Sequence, residues 1–135
     1  DITVTSDGKV WKTDGGKYSV VRDGITSSLE GSYSYHNHPA DETHWSFGEM
    51  DSAEFISTKS ARLEASDDKY VYWMQRTENT VEKTYAEVYN EFRQIHRYEV
   101  LQMQADGVIP PDDDYHATME ILSERLGFEY GRRSK

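Results

Sequence analysis

At Thr80 the hydrophobic period of this chain changes, and that change limits its fold more than any other feature. From Val81 onward, Val81, Tyr85, Val88, Phe92 and Ile95 recur at alternating steps of four and three, the spacing that gathers side chains on one face of an α-helix. The spacing predicts a helix running to about Gln104. The run Asp106 to Pro111 ends it, because proline cannot continue a helix. A second stripe, Tyr115, Met119, Leu122 and Leu126, predicts another helix. Asp112, Asp113 and Asp114 precede it as an acidic start that complements the helix dipole, and Gly127 suits its C-terminal end. The basic residues beyond, Arg132 to Lys135, read as a mobile tail.

Before Thr80 the apolar residues come in short alternating runs separated by turn residues. Ile2 to Thr5 alternates, Ser6 to Lys9 turns, and Val10 to Lys12 follows; Thr13 to Lys17 turns again before Tyr18 to Arg22. These three runs predict a small antiparallel meander, with Trp11 and Tyr18 as sheet packing. A polar connection from Asp23 to Gly31 feeds a strand from Ser32 to His36. Ala40 to Trp45 is too polar to bury and reads as a surface loop containing His44. A short helix is expected over Ser52 to Ser60, carrying Ala53, Phe55 and Ile56, then an extended run from Ala61 to Ser66 and a turn to Lys69. Tyr70 to Arg76 is the strongest strand signal, an apolar run expected at the sheet centre with both faces covered and with Tyr72 and Trp73 in the core. Strands, a short helix, two strands and two helices make an α+β domain, a mixed sheet flanked by helices.

Charge and composition narrow the function classes. The 135 residues are the length of one domain and carry a formal net charge of −10 with a pI near 4.9. A protein working through phosphate contacts presents a basic face, and the one dense basic run lies at residues 132–135, so nucleic-acid binding is disfavoured. Cysteine is absent, which excludes disulfides, a thiolate nucleophile and thiolate-held zinc. No apolar run approaches a membrane span. Mean hydropathy is −0.87, but an aromatic share of 13% supplies large buried surfaces from few positions.

Chemistry concentrates at the end of the Ser32 to His36 strand. His36 and His38 stand at i and i+2 on an extended segment, so both imidazoles point to one face, and Pro39 then stops the strand. Neutral imidazole suits zinc, and a catalytic zinc takes three protein ligands while leaving one position open. With no cysteine available the third ligand is a carboxylate, and the next ordered element offers Glu49 and Asp51. Asp51 also reads as the N-cap of the short helix.

His36-Asn37-His38-Pro39, a polar loop, a small residue and an acid at a helix start resemble the signature of the JAB/MPN (JAMM) metalloprotease-like family, in its prokaryotic and phage-related branch. The resemblance spans about Gly8 to Thr77, so the domain divides into a core over residues 1–77 and a helical C-terminal extension over residues 78–135. It implies a three-layer fold with zinc held by His36, His38 and an acid. Two registers are open: with Ser46 in the family's serine position the acid is Glu49, and with Gly48 there the acid is Asp51, the preferred reading because Asp51 stands where the short helix starts. In the first register Ser46 stabilises the developing oxyanion. The family also places a glutamate well upstream to accept a proton from water; the upstream glutamate in this chain is Glu30, the alternative being a segment before Asp1.

What the resemblance implies is a zinc-dependent peptidase or isopeptidase acting on a protein or peptide, as part of a larger phage-related or effector protein. Its setting would be the bacterial cytoplasm, a phage particle or the secreted state. Two other classes stand beside it. One is a degenerate module of the same fold that works in assembly or binds a partner or its parent protein, and the other is a metal-dependent toxin nuclease.

Overall fold

The computed structural model describes residues 1–12, 28–38 and 45–135. The expected strand Tyr18 to Arg22, and with it Tyr18, Pro39 and His44, lies outside the described residues. Six strands form one mixed sheet: β1 (Ile2–Val4), β2 (Val10–Lys12), β3 (Tyr33–Asn37), β4 (Arg62–Ser66), β5 (Tyr70–Gln75) and β6 (Glu129–Ser134), in the order β2-β1-β3-β4-β5-β6. The β3–β4 pair is parallel and every other pair is antiparallel. The helices are α1 (Glu49–Ser57), α2 (Tyr85–Ile95), α3 (Leu101–Ala105) and α4 (Asp114–Leu126). This is an α+β fold.

The two sheet faces differ because strand side chains alternate. Pairing puts His36, Ala65, Tyr72 and Arg132 in one row across the sheet, and Ser34, Leu63, Met74 and Tyr130 in the next. Ala65, Tyr72 and Met74 are fully buried and join Phe47, Phe55, Phe92, Met119 and Leu122 in a single core under the helices. On the opposite face Ile2, Val4, Tyr33 and Tyr35 are exposed. Among the described residues the helices cover one face only, so the described part is a sheet against helices rather than three layers. For the same reason Trp73 is half-buried outside the core, against the Arg62 guanidinium, and β5 has one fully buried face, not two.

α2 begins at Tyr85, four residues after Val81, the first residue of the apolar stripe, and α4 begins at Asp114 with no side-chain cap bond from Asp113. Thr84 caps α2 by accepting from the Glu87 N–H, while the Glu87 carboxylate accepts from the Thr84 N–H, a reciprocal box. The Val88, Phe92 and Ile95 stripe is buried, but the helix passes through a π-helical turn at His96–Val100 before α3 ends at Ala105. In the turn His96 Nε2 lies 2.7 Å from the Asp114 carboxylate, which is 1% exposed. The last residue of the acidic run therefore works as a buried partner of His96, and the N-cap of α4 is Asp113.

The tail is not free. Residues 129–134 pair with β5 along its whole length, from Tyr70↔Ser134 to Gln75↔Glu129. Arg132 bonds both Asp113 carboxylate oxygens, at 2.8 and 3.3 Å, and lies over the Tyr70 ring. The segment 78–135 is thus a helical layer followed by a sheet strand.

At the other end of the sheet Arg76 closes the C-terminus of α1. Its guanidinium donates to the carbonyls of Ser60 at 2.8 Å, just past the helix, and Ile56 at 3.1 Å, which also accepts the Lys59 N–H, and desolvation lowers its pKa from the ordinary value. Arg76→Ala is expected to cost about 2–3 kcal/mol, read as a lower urea midpoint. An unchanged midpoint would show that water replaces the guanidinium at no cost.

Candidate metal centre

The parallel β3–β4 pair is joined through α1, so the carboxyl end of β3 and the amino end of α1 lie at the same edge of the fold. That topology brings His36, His38 and Asp51 together. His36 is 4% exposed. The two imidazoles stack with centroids 4.9 Å apart, and their Nε2 atoms are 2.9 Å from each other. Asp51 Oδ1 is 3.7 Å from His36 Nε2, and Oδ2 is 4.0 Å from His38 Nε2. Zinc bonds of 2.0–2.1 Å in a tetrahedron separate ligand atoms by about 3.3 Å. The nitrogen pair is somewhat closer than that value and each carboxylate oxygen lies somewhat farther from its nearer imidazole, and two nitrogens with one carboxylate oxygen are a donor set that zinc accepts. Among the described residues this is the one group of metal-binding side chains whose donor atoms converge within 4.8 Å.

Asp51 is placed by the helix start, which differs from the sequence expectation. α1 begins at Glu49 with Gly48 as N-cap, three residues earlier than the expected start at Ser52 with Asp51 as cap. Asp51 is consequently the third helical residue, and its Oδ2 accepts the Gly48 N–H at 3.1 Å. That bond fixes the carboxylate over the first turn, where a negative charge offsets the partial positive charge of the helix end. Of the two open registers the fold brings Asp51 to the histidines; Glu49, one turn edge away, is not in the group.

The remaining expected site residues are elsewhere or otherwise engaged. Glu30 is exposed in the turn before β3, at the opposite end of the strand from His38, and about 10 Å of strand separates Tyr33 from His36. The fold does not bring it to the cluster. Ser46 is 2% exposed, with φ at 122°, and its hydroxyl lies 2.6 Å from the Tyr130 oxygen. Trp45 packs on Tyr70 under the Lys69 ammonium, 3.8 Å from the ring centre, and shows no ring contact with the histidines among the described residues.

Three supports surround the ligands, of which Phe47, flanking Ser46 with Trp45, is the one the sequence offers as a cover for the site. Phe47, fully buried, meets both imidazoles nearly perpendicularly, at centroid distances of 6.4 and 6.1 Å, and also touches Tyr72 and Tyr130. Tyr72 packs beside His38 and donates a 2.5 Å hydrogen bond to Asp67; burial first, and that bond second, push its pKa far up, so it stays a neutral donor. Asp67 also accepts the N–H groups of Lys69 and Tyr70, both at 2.8 Å. Its position was readable in principle, because parallel pairing at Asn37↔Ser66 makes it the neighbour of His38. The link from Ser46 to Tyr130 spans 84 positions, and no local pattern announces it.

No family model, no curated protein and no solved structure matches this chain.

Proposed function

We propose that the chain is a zinc-dependent hydrolase of the JAMM type, acting on peptide or isopeptide bonds. The observation that carries this reading is the convergence of His36, His38 and Asp51 at zinc-like separations on a rigid strand end and helix start. Bound there, zinc would polarise a substrate carbonyl and make water an effective nucleophile near neutral pH. The protein's own part is to hold the ligands. β3 fixes both imidazoles on one face, Phe47 sets the ring planes, and the Gly48 N–H orients Asp51.

A second reading has support of its own: a module of this fold that binds zinc and acts in assembly or partner binding. Glu30 at the far end of β3 leaves the expected proton acceptor away from the cluster, and the Ser46 hydroxyl is turned into the fold toward Tyr130.

Elemental analysis of the purified protein, beside a His36→Ala/His38→Ala double variant, tests both. One zinc per chain that is lost in the variant, with cleavage of peptide or isopeptide substrates that is lost with it, is the expected result. Zinc without cleavage over a broad substrate panel would leave the binding module. Absence of zinc, with no uptake on addition, would overturn both.

A further inference from the structure

A chain of hydrogen bonds runs from the wall of the cluster into the C-terminal strand. Ser46 Oγ is 2.6 Å from Tyr130 Oη, Tyr130 Oη is 2.6 Å from His116 Nδ1, and His116 Nε2 is 3.2 Å from Glu120 Oε1. With a neutral imidazole both hydrogen bonds are satisfied in one direction. Nδ1 accepts from the Tyr130 hydroxyl and the Tyr130 oxygen accepts from Ser46, while the Glu120 carboxylate lies beside Nε2.

What the chain restrains is a strained segment next to the metal ligands. Ser46 has a φ of 122°, a region that a non-glycine residue keeps only where its surroundings impose it. The next residue is Phe47, against both imidazoles, and then Gly48, whose N–H holds Asp51. We propose that Ser46, Tyr130 and His116 form a latch between β6 and the Phe47 wall, which makes Tyr130 and His116 positioning residues for the His36–His38–Asp51 cluster. That the latch serves a metal site rests on the reading above; that it fixes the Ser46–Gly48 segment does not.

The latch is sensitive to protons. A protonated His116 carries N–H on both nitrogens, so Nδ1 must donate to the Tyr130 oxygen. Tyr130 must then donate to Ser46, and the Ser46 hydrogen loses its acceptor in a position 2% exposed. The groups facing His116 are Tyr130 and Arg132 on β6, Glu120 on its own helix and Asp113 at the N-cap. Burial and then the Arg132 charge lower the His116 pKa from the ordinary value, while Glu120 and Asp113 oppose them. Because the folded state takes the proton less readily than the unfolded chain, the latch is fully engaged above the ordinary histidine range. It is lost as pH falls through the lowered value.

Amide hydrogen exchange of Gly48 in metal-free protein reads the latch directly, and zinc affinity and the visible spectrum of the cobalt-loaded protein read its effect on the cluster. Tyr130→Phe keeps the ring and removes the hydroxyl. It is expected to lower Gly48 protection, and zinc affinity with it, by about tenfold at neutral pH, and to change the cobalt spectrum. Wild-type protection should fall similarly as pH drops below the ordinary histidine range and through the lowered His116 value, whereas His116→Asn, an acceptor that takes no proton, should hold its protection over the same titration. Equal Gly48 protection in wild type and Tyr130→Phe, or the same pH profile in wild type and His116→Asn, would overturn the latch. If Tyr130→Phe fails to fold, the His116→Asn profile decides alone. Wild-type protein that takes up no zinc but shows the exchange differences would retain the latch and lose the metal reading.

Discussion

Phe47→Ala is expected to destabilise the protein by about 3–5 kcal/mol, the usual cost of removing a buried aromatic ring. The ring is 0% exposed and stands at a junction: one edge meets His36 and His38, and the rest meets Tyr72 and Tyr130. Its loss opens a cavity between β3, β5 and β6 and also frees the imidazole planes. In the fraction that still folds, zinc affinity should therefore fall as well. Phe47→Leu fills most of the volume and should cost less than half as much while leaving the ring planes unfixed. Urea unfolding gives the first quantity, and zinc titration of both variants gives the second. A loss below about 1 kcal/mol for Phe47→Ala would show that the wall repacks and that the ring is not what orders the site.

The second large effect lies far from the site. Gly127 ends α4 with φ at +76°, and a Cβ there would fall well inside contact distance of the Asn79 backbone oxygen. The close approach is built by the loop before α2: Thr77 and Thr80 both donate to the Gly127 carbonyl, and the Val81 N–H donates to the Leu126 carbonyl. Gly127→Ala adds the left-handed strain of about 1–2 kcal/mol to an overpacking cost of about 1–3 kcal/mol. Gly107 supplies the control, with φ at +72° and nothing within 4 Å of its Cβ position. Gly107→Ala should show the strain alone. Equal losses at the two positions would show that the loop moves aside freely.

How much of this was legible depended on whether a residue's role is local. The i, i+2 histidines, the stripe Val88, Phe92 and Ile95, and the apolar run of β5 are local patterns: His36 lies on β3 with His38 just past its end, the stripe lies on α2, and the run forms β5 with one buried face rather than two. The π-helical turn left one trace, since the next buried residue after Ile95 is Val100, five positions on. β6 was hidden because Glu129 to Ser134 holds no apolar alternation. Its strand character comes from β5 beside it, and its inward side chains, Tyr130 and Arg132, are polar at their tips. Trp73 misled for the opposite reason, because a large apolar residue in a strand fits an uncovered sheet face when a guanidinium covers its ring. His36 and His38 were visible together with the two acids, but only the position of Gly48 as helix cap decides that Asp51 rather than Glu49 reaches them.

The 84-residue span between Ser46 and Tyr130 has a consequence for the chain as it is made. On the metal reading proposed above, the three ligands lie within residues 36–51, but Tyr130, proposed to lock their wall, leaves the ribosome much later. At 5–20 residues per second the interval is roughly 4 to 17 s, during which the histidine pair is present without β6. The nascent chain is therefore expected to meet metal before its site is sealed, so that the ion captured depends on what the surroundings offer during synthesis as well as on the finished geometry.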